Sequence, residues 1–203
     1  MDILIGTKNP YKIDEINNLI KGLKNIKIHY LDEIKNIPII EENQKSLKGN
    51  AEKKAIGISN YTDYFVLASD GGVDIPKLKN KWNVLKNQRI VGENKTDQEK
   101  VDFLINLMKN LKEEDRKCID YFALAIAKNG QLIWSFEDIY NYGYIIEKPN
   151  KKEIPKGRWM SSVWFYPQFQ KTYLEINKKE LTEINKYRNN LKSELQKCIK
   201  NII

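Results

Sequence analysis

A short strand followed by a capped helix near the start of the chain constrains the fold most strongly. The apolar run at residues 3–5 predicts a buried strand, and Asn9 with Pro10 predicts a helix N-cap with proline at the first helical position. The loop between them lies where a sheet opens onto a helix, and the positive end of the helix dipole favours a phosphate there. Thr7, Asn9 and Lys12 surround this predicted phosphate site, the structural alternative being a capped turn with solvated polar residues.

An acidic residue at the end of the clearest buried strand predicts a second part of a site. The strand covers residues 64–69 and leads directly into Asp70, Gly71 and Gly72. Open α/β sheets bind metal ions and phosphates at the carboxyl ends of their strands, and glycines let a ligand approach the backbone. We therefore expect Asp70 to be functional, the alternative being a simple Asp-Gly turn.

An acidic pair before a helix adds further candidates. Glu41 and Glu42 end an extended segment, where carboxylates can face an active cleft or only water. Ser46 then predicts the cap of a helix that carries Asn50 and Lys54 one turn apart.

A long basic segment, residues 77–93, is predicted to be irregular. Long loops beside a predicted site are frequently functional, and Lys86 or Arg89 is long enough to reach an anion.

The remaining pattern predicts a mixed sheet flanked by helices, an α/β fold. The first helix extends to Leu23, and a capping box at Thr96 begins another helix. The other predicted elements are a strand in which Ile26, Ile28 and Tyr30 alternate with polar residues, a hairpin of residues 119–127 and 132–136 turning at 128–130, a third antiparallel strand at 141–147, and a final helix over about 178–200 with Leu181, Ile184, Tyr187 or Arg188, Leu191, Leu195 and Cys198 along one stripe.

Composition excludes several classes of protein. With 203 residues, 41% of them hydrophobic, the chain can bury a full core as one domain over residues 1–203. No apolar run is long enough to span a bilayer, and no secretory signal is visible, so a cytoplasmic location is expected. Cys118 and Cys198 lie far apart and His29 is the single histidine, which argues against a zinc site and a Cys/His nucleophile. The net charge of +8 favours a polyanionic partner.

Taken in order, these stretches resemble the inosine triphosphate pyrophosphatase family, whose members hydrolyse a nucleoside triphosphate to the monophosphate and pyrophosphate. The resemblance covers nearly the whole chain through short motifs in matching order. The residues that carry it are Thr7, Asn9 and Lys12; Glu41 and Glu42; Ser46, Asn50, Ala51 and Lys54; Ser69 to Val73; Arg89 to Gly92; Thr96 and Asp97; Pro167 to Phe169; and Lys171 and Thr172.

The chain departs from the family where one carboxylate and the base-recognition residues are expected. Ser69 stands in place of the first of two adjacent acidic residues. Val163 and Tyr166 stand in place of a stacking Phe and a base-side Asp, so Trp164 or Phe165 would supply a stacking face. The family's Ser-His-Arg in the last helix falls on residues 185–188. The phosphate end is therefore kept and the base end is rewritten.

The resemblance implies a central mixed, twisted sheet and two lobes with an active cleft between them. It implies Mg²⁺ or Mn²⁺ on Glu41, Glu42 and Asp70, an all-oxygen ligand set that suits these ions. Asp70 would orient or deprotonate the water that attacks the α-phosphorus, with Lys12 and Lys54 as catalytic cations. The implied substrate-binding residues are Thr7, Asn9, Lys12, Asn50, Gly71, Gly72, Arg89, Trp164, Phe165, Tyr166, Lys171 and Arg188.

Two alternatives stay open from the sequence. One is a Maf-like nucleotide pyrophosphatase, which has a similar architecture. The other is a catalytically weakened nucleotide or nucleic-acid binding protein, in which the positive charge and Trp82, Trp134, Trp159 and Trp164 would contact bases. The preferred partner is a nucleoside triphosphate, rather than a nucleic acid or a membrane, and a homodimer is left open.

Overall fold

The computed structural model describes residues 1–92, 94–155 and 157–202, and every side chain within them except that of residue 88. In these ranges the strands are β1 (Asp2–Ile5), β2 (Lys27–Tyr30), β3 (Phe65–Asp74), β4 (Lys117–Lys128), β5 (Gln131–Ile145), β6 (Trp164–Tyr166) and β7 (Lys171–Thr172). The helices are α1 (Pro10–Ile20), α2 (Leu47–Ser59), α3 (Asn87–Val91), α4 (Asp97–Leu107), α5 (Lys178–Ile184) and α6 (Asn189–Ile202), with 3₁₀ turns between several of them.

The described strands form one sheet in the order β2-β1-β3-β4-β5-β6-β7. β1 runs parallel to β2 and β3, with Ile3 paired to Ile28 and to Phe65. β6 runs antiparallel to β5 and to β7. The predicted mixed sheet with flanking helices is therefore confirmed.

The described residues divide into two compact units. The first comprises the described residues of 1–71, 122–138 and 189–202, and the second comprises those of 72–121 and 139–188. The single domain over residues 1–203 stays a prediction.

The strand predicted at residues 141–147 is wrong, because it is the continuation of β5. The hairpin turn is confirmed at the predicted position. Asn129 and Gly130 both have positive φ, as the two central residues of a type I′ turn require. Polar residues in the middle of β5 interrupt its apolar pattern, so the sequence predicts two strands where the structure has one. In the structure Glu137 accepts a hydrogen bond from the Lys48 backbone N–H at 2.8 Å, and Asp138 accepts one from Asn190 at 2.6 Å. β6 and β7 were missed because strands of three and two residues carry no periodicity.

β3 does not end at residue 69 but continues to Asp74, so the prediction that Asp70 follows the strand is wrong. The Trp82 indole N–H donates to the Val73 carbonyl at 2.7 Å, and the Asn87 side-chain oxygen accepts from the Val73 N–H at 2.6 Å. A Cβ on Gly72 would lie 2.1 Å from the Val84 carbonyl oxygen, so this glycine permits close packing of protein backbone.

Three predicted segments have different bounds. α1 ends at Ile20, before Gly22 with its φ of 97°, so Leu23 lies outside the helix. The final helix is divided by a 3₁₀ turn at Asn185–Arg188, and Ile199 joins the buried stripe while Cys198 is only half-buried. The segment 77–92 is not irregular, because it forms two 3₁₀ helices and α3, and residue 93 lies outside the described residues.

β2 confirms the predicted strand, but its buried side chain is that of His29, while Ile28 is half-buried and Lys27 is exposed. His29 is buried whereas Tyr30 is 37% exposed. His29 Nε2 lies 2.8 Å from an Asp2 carboxylate oxygen and Nδ1 lies 2.9 Å from one of Glu33, and the ring stacks on Tyr64 at 4.1 Å. Two carboxylates thus make burial of an imidazole favourable, since both of its ring nitrogens have a partner.

These contacts predict that part of the stability depends on pH. The hydrogen bonds to Asp2 and then Glu33 raise the pKa of His29 above 6.5, against an opposing effect of burial and Lys27. A group whose pKa is higher in the folded than in the unfolded protein contributes its full stabilisation at pH values below its unfolded-state pKa. This stabilisation is lost as the pH rises through its folded-state pKa. We expect the stability advantage of the wild type over His29→Gln to be large near about pH 5.5 and to shrink by about pH 8.5. Urea unfolding at both pH values measures it, and an advantage that grows with pH would contradict the assignment.

No helix in the part of the chain that the structure describes is both long and apolar enough to cross a bilayer.

Candidate active site

Asp70 is the centre of a polar cluster inside the first compact unit. Its side chain lies in β3, and the residue is only 5% exposed. Its Oδ1 accepts hydrogen bonds from Lys12 Nζ at 3.2 Å and from the Gly71 N–H at 2.8 Å, and its Oδ2 accepts one from Asn50 Nδ2 at 3.0 Å. A buried carboxylate is thus held by one cation and two neutral donors, which fixes its orientation.

Lys12 reaches Asp70 because of the turn that begins α1. The Asn9 side chain accepts from the Tyr11 N–H at 2.9 Å, which confirms the predicted N-cap, and the Asn9 N–H donates to Thr7 at 3.2 Å. These bonds fix the loop, and Lys12 follows within the first turn of the helix. The structure therefore brings Lys12 to Asp70, while Thr7 and Asn9 shape the backbone beside it; their contacts with a phosphate stay a prediction.

Lys54 forms a second bridge within the same unit. Its ammonium donates to the Ser69 carbonyl at 3.0 Å and forms an ion pair with Glu42. Burial, followed by the nearby charge of Lys12, lowers the pKa of Lys54, whereas Glu42 and Asp70 act in the opposite direction. Glu42 offsets part of the cost of burying this ammonium.

The structure separates the two members of the predicted acidic pair. Glu42 pairs with Lys54, but Glu41 is exposed and accepts a hydrogen bond from Asn43 at 3.1 Å. The structure therefore brings Glu42, and not Glu41, to Lys54.

The donor set of the cluster fits a magnesium or manganese ion. Glu42 and Asp70 offer carboxylate oxygens, which these hard cations prefer. Within the described ranges no group of three His, Cys, Asp or Glu side chains is placed to hold a metal. Mg²⁺ is commonly held by one or two carboxylates together with substrate phosphates and water, so two are compatible with it.

Ser69 occupies the position where a second acidic residue was expected. It is fully buried, and among the described residues its hydroxyl has no hydrogen-bond partner. Because side chains alternate along a strand, Ser69 and Asp70 face opposite sides of β3. The Ser69 hydroxyl therefore makes no hydrogen bond to the Asp70 carboxylate.

The predicted base-recognition residues lie in the second compact unit and are largely covered by protein. Val163, Trp164 and Tyr166 are buried, while Phe165 is half-buried. The Tyr166 hydroxyl accepts a hydrogen bond from Asn141, and burial raises the pKa of Tyr166. The structure thus places Trp164 and Tyr166 in the core, with 5% and 0% of each residue exposed. Asn141 was not singled out in the sequence, since its partner is 25 residues away.

The remaining predicted cations have different surroundings. Arg89 lies on α3 and is exposed. Lys171 donates to Glu180 at 2.7 Å, and Arg188 is buried with its guanidinium over the Tyr140 ring at 4.0 Å. Their contacts with a substrate stay predictions.

The tryptophans argue against a base-stacking surface for nucleic acid. Trp82, Trp159 and Trp164 are each about 5% exposed, and Trp134 is half-buried. Stacking on single-stranded nucleic acid requires accessible ring faces. Core packing therefore accounts for three of the four.

A family profile and several relatives match most of this chain. The Ham1 family profile matches residues 3–195. A dITP/XTP pyrophosphatase of Clostridium perfringens is 26% identical over 98% of both chains, and that of Bacillus licheniformis is 31% identical over 73% of this chain and 74% of the relative.

Two solved structures share the fold. A HAM1 protein from Coxiella burnetii gives a TM-score of 0.78 at 22% identity, covering 99% of both chains. The Staphylococcus aureus Ham1 protein gives a TM-score of 0.78 at 20% identity over the full length of both. With a family match over almost its entire length, the chain belongs to the Ham1 family.

Proposed function

We propose that this protein is a nucleoside triphosphate pyrophosphatase, which hydrolyses a (deoxy)nucleoside triphosphate to the monophosphate and pyrophosphate. The observation that carries the proposal is the buried Asp70 carboxylate in contact with Lys12 and Asn50, beside the Lys54–Glu42 pair. Relatives covering nearly the same length are named dITP/XTP pyrophosphatase. Noncognate purine triphosphates are therefore the first substrates to test.

The chemistry assigned to the cluster follows from its charges. Glu42 and Asp70 would hold a Mg²⁺ or Mn²⁺ ion, which when bound neutralises phosphate charge and makes water more acidic. Asp70 orients the attacking water and accepts its proton, because Asn50 and Gly71 fix the carboxylate. Lys12 and Lys54 bind phosphate oxygens. Phosphoryl transfer depends mainly on positioning and positive charge, so a reactive His or Cys is not required.

A substrate screen tests the proposal. Inosine, xanthosine, adenosine, guanosine and pyrimidine triphosphates are incubated with Mg²⁺, Mn²⁺ or chelator, and pyrophosphate and orthophosphate are measured separately. We expect pyrophosphate with at least one of these substrates, a requirement for the divalent ion, and rates that rise toward alkaline pH. Orthophosphate as the first product would place the protein in another class of hydrolase.

A further inference from the structure

Asn50 makes two hydrogen bonds in opposite directions from one buried amide. The residue is 2% exposed. Its Nδ2 donates to Asp70 Oδ2 at 3.0 Å, and its Oδ1 accepts from the Gln44 N–H at 2.8 Å. The amide carries its donor and its acceptor on separate atoms, so it bonds to the carboxylate and to the backbone N–H at once. Both ends of the side chain therefore face protein groups, whereas a substrate-binding role would direct at least one of them to a ligand.

Asn50 and Lys54 form two bridges from the same helix. Both lie on α2, one turn apart, and the Asn50 N–H donates to the carbonyl of the N-cap residue Ser46 at 3.0 Å. Asn50 joins Asp70 to Gln44, and Lys54 joins the Ser69 carbonyl to Glu42. Each bridge therefore ties β3 to the segment that carries Glu42.

The two bridges differ in charge, and a bound triphosphate can therefore replace a protein partner in one of them but not in the other. The Lys54 ammonium can leave Glu42 for a phosphate oxygen, because both partners are anions. The Asn50 amide is neutral, and its exchange would leave the buried Asp70 oxygen and the Gln44 N–H without these partners, which is unfavourable.

We propose that Asn50 is a positioning residue that keeps the Asp70 carboxylate and the Glu42 segment aligned while Lys54 turns to the substrate phosphates. This inference rests on the proposed function. Asn50 acts through Asp70 and the backbone at Gln44 and makes no contact with the substrate.

The test is a kinetic comparison of Asn50→Ala and Asn50→Asp with the wild type, using the best triphosphate from the substrate screen. We expect kcat to fall about tenfold to a hundredfold, KM to change by less than about threefold, and half-saturation to require more Mg²⁺. Binding of a nonhydrolysable α,β-methylene triphosphate without metal should stay within about threefold of the wild type. Asn50→Asp should lose more than Asn50→Ala, because it places a second carboxylate against Asp70.

A double variant distinguishes a role through Asp70 from a general loss of stability, because only the former makes the two losses of kcat non-additive. Because one of the two Asn50 bonds is to Asp70, adding Asn50→Ala to Asp70→Asn should lower kcat by much less than the tenfold to hundredfold loss expected of Asn50→Ala alone, the remainder reflecting the bond to the Gln44 N–H. Asn60→Ala, at the opposite end of α2, is the matched control and should keep wild-type kinetics. Thermal unfolding establishes that each variant folds, and Asn50→Ser replaces Asn50→Ala if the latter does not.

Two results would overturn the inference. One is a raised KM and weaker analogue binding with unchanged kcat, which would make Asn50 a substrate-binding residue. The other is a fully multiplicative loss in the double variant. Failure of the proposed function is distinct from both, because the wild type itself would then release no pyrophosphate.

Discussion

Asp70→Asn is expected to lower kcat by about a hundredfold or more while the protein keeps its fold. The amide has nearly the same shape as the carboxylate but cannot accept the proton of the attacking water and is a poor ligand for a divalent ion. The amide also has only one acceptor oxygen, whereas the two oxygens of the carboxylate accept hydrogen bonds from three donors. Steady-state pyrophosphate release and thermal unfolding measure the two parts of this expectation.

Asp115→Asn is the matched control. Asp115 pairs with Lys77 at 2.9 Å on the surface, with about half of each side chain exposed, where an ion pair contributes little. Its kcat should stay within about twofold of the wild type. Equal losses in both variants, or no loss in either, would refute the assignment of Asp70.

Lys54→Ala is expected to raise KM for the triphosphate about tenfold or more, because it removes a charged hydrogen bond to phosphate. The effect should be larger at low than at high ionic strength, since salt already screens part of the attraction. Steady-state kinetics at two salt concentrations measure it, and Lys12→Ala should behave in the same direction.

Glu42→Gln is expected to change triphosphate binding in the opposite direction from the lysine variants. Glu42 is the ion-pair partner of Lys54, so removing its charge should strengthen binding of a metal-free triphosphate analogue while lowering turnover with Mg²⁺. An unchanged KM in both lysine variants, together with weaker analogue binding in Glu42→Gln, would show that Lys12, Lys54 and Glu42 have only a structural role.

The parts of the fold and site that follow from neighbouring residues were predictable from the sequence. The N-cap at Asn9 depends on a contact two residues along the chain, and it places Lys12 on the first turn of α1. The mixed sheet follows from the apolar runs and the hairpin turn at Asn129 and Gly130. These features need no knowledge of distant partners.

Features that depend on distant partners were not predictable. Glu41 and Glu42 are equivalent in the sequence, and only the contact with Lys54 separates them. The strand β2 was predictable, but the burial of His29 within it was not, because it depends on contacts with Asp2 and Glu33.

At the base end, the placement of Tyr166 depends on Asn141, which no local pattern connects to it. Strand alternation alone likewise did not indicate that β3 continues beyond Asp70, because the groups that bond to Val73 come from residues 82 and 87.

The central claim is that water attacks the α-phosphorus of a nucleoside triphosphate, and isotope labelling tests it most directly. Hydrolysis is run in water enriched in ¹⁸O with the best substrate of the screen, and both products are analysed by mass spectrometry. We expect one ¹⁸O atom in the nucleoside monophosphate and none in the pyrophosphate. Label in the pyrophosphate, or in released orthophosphate, would show attack at another phosphorus and would contradict this claim.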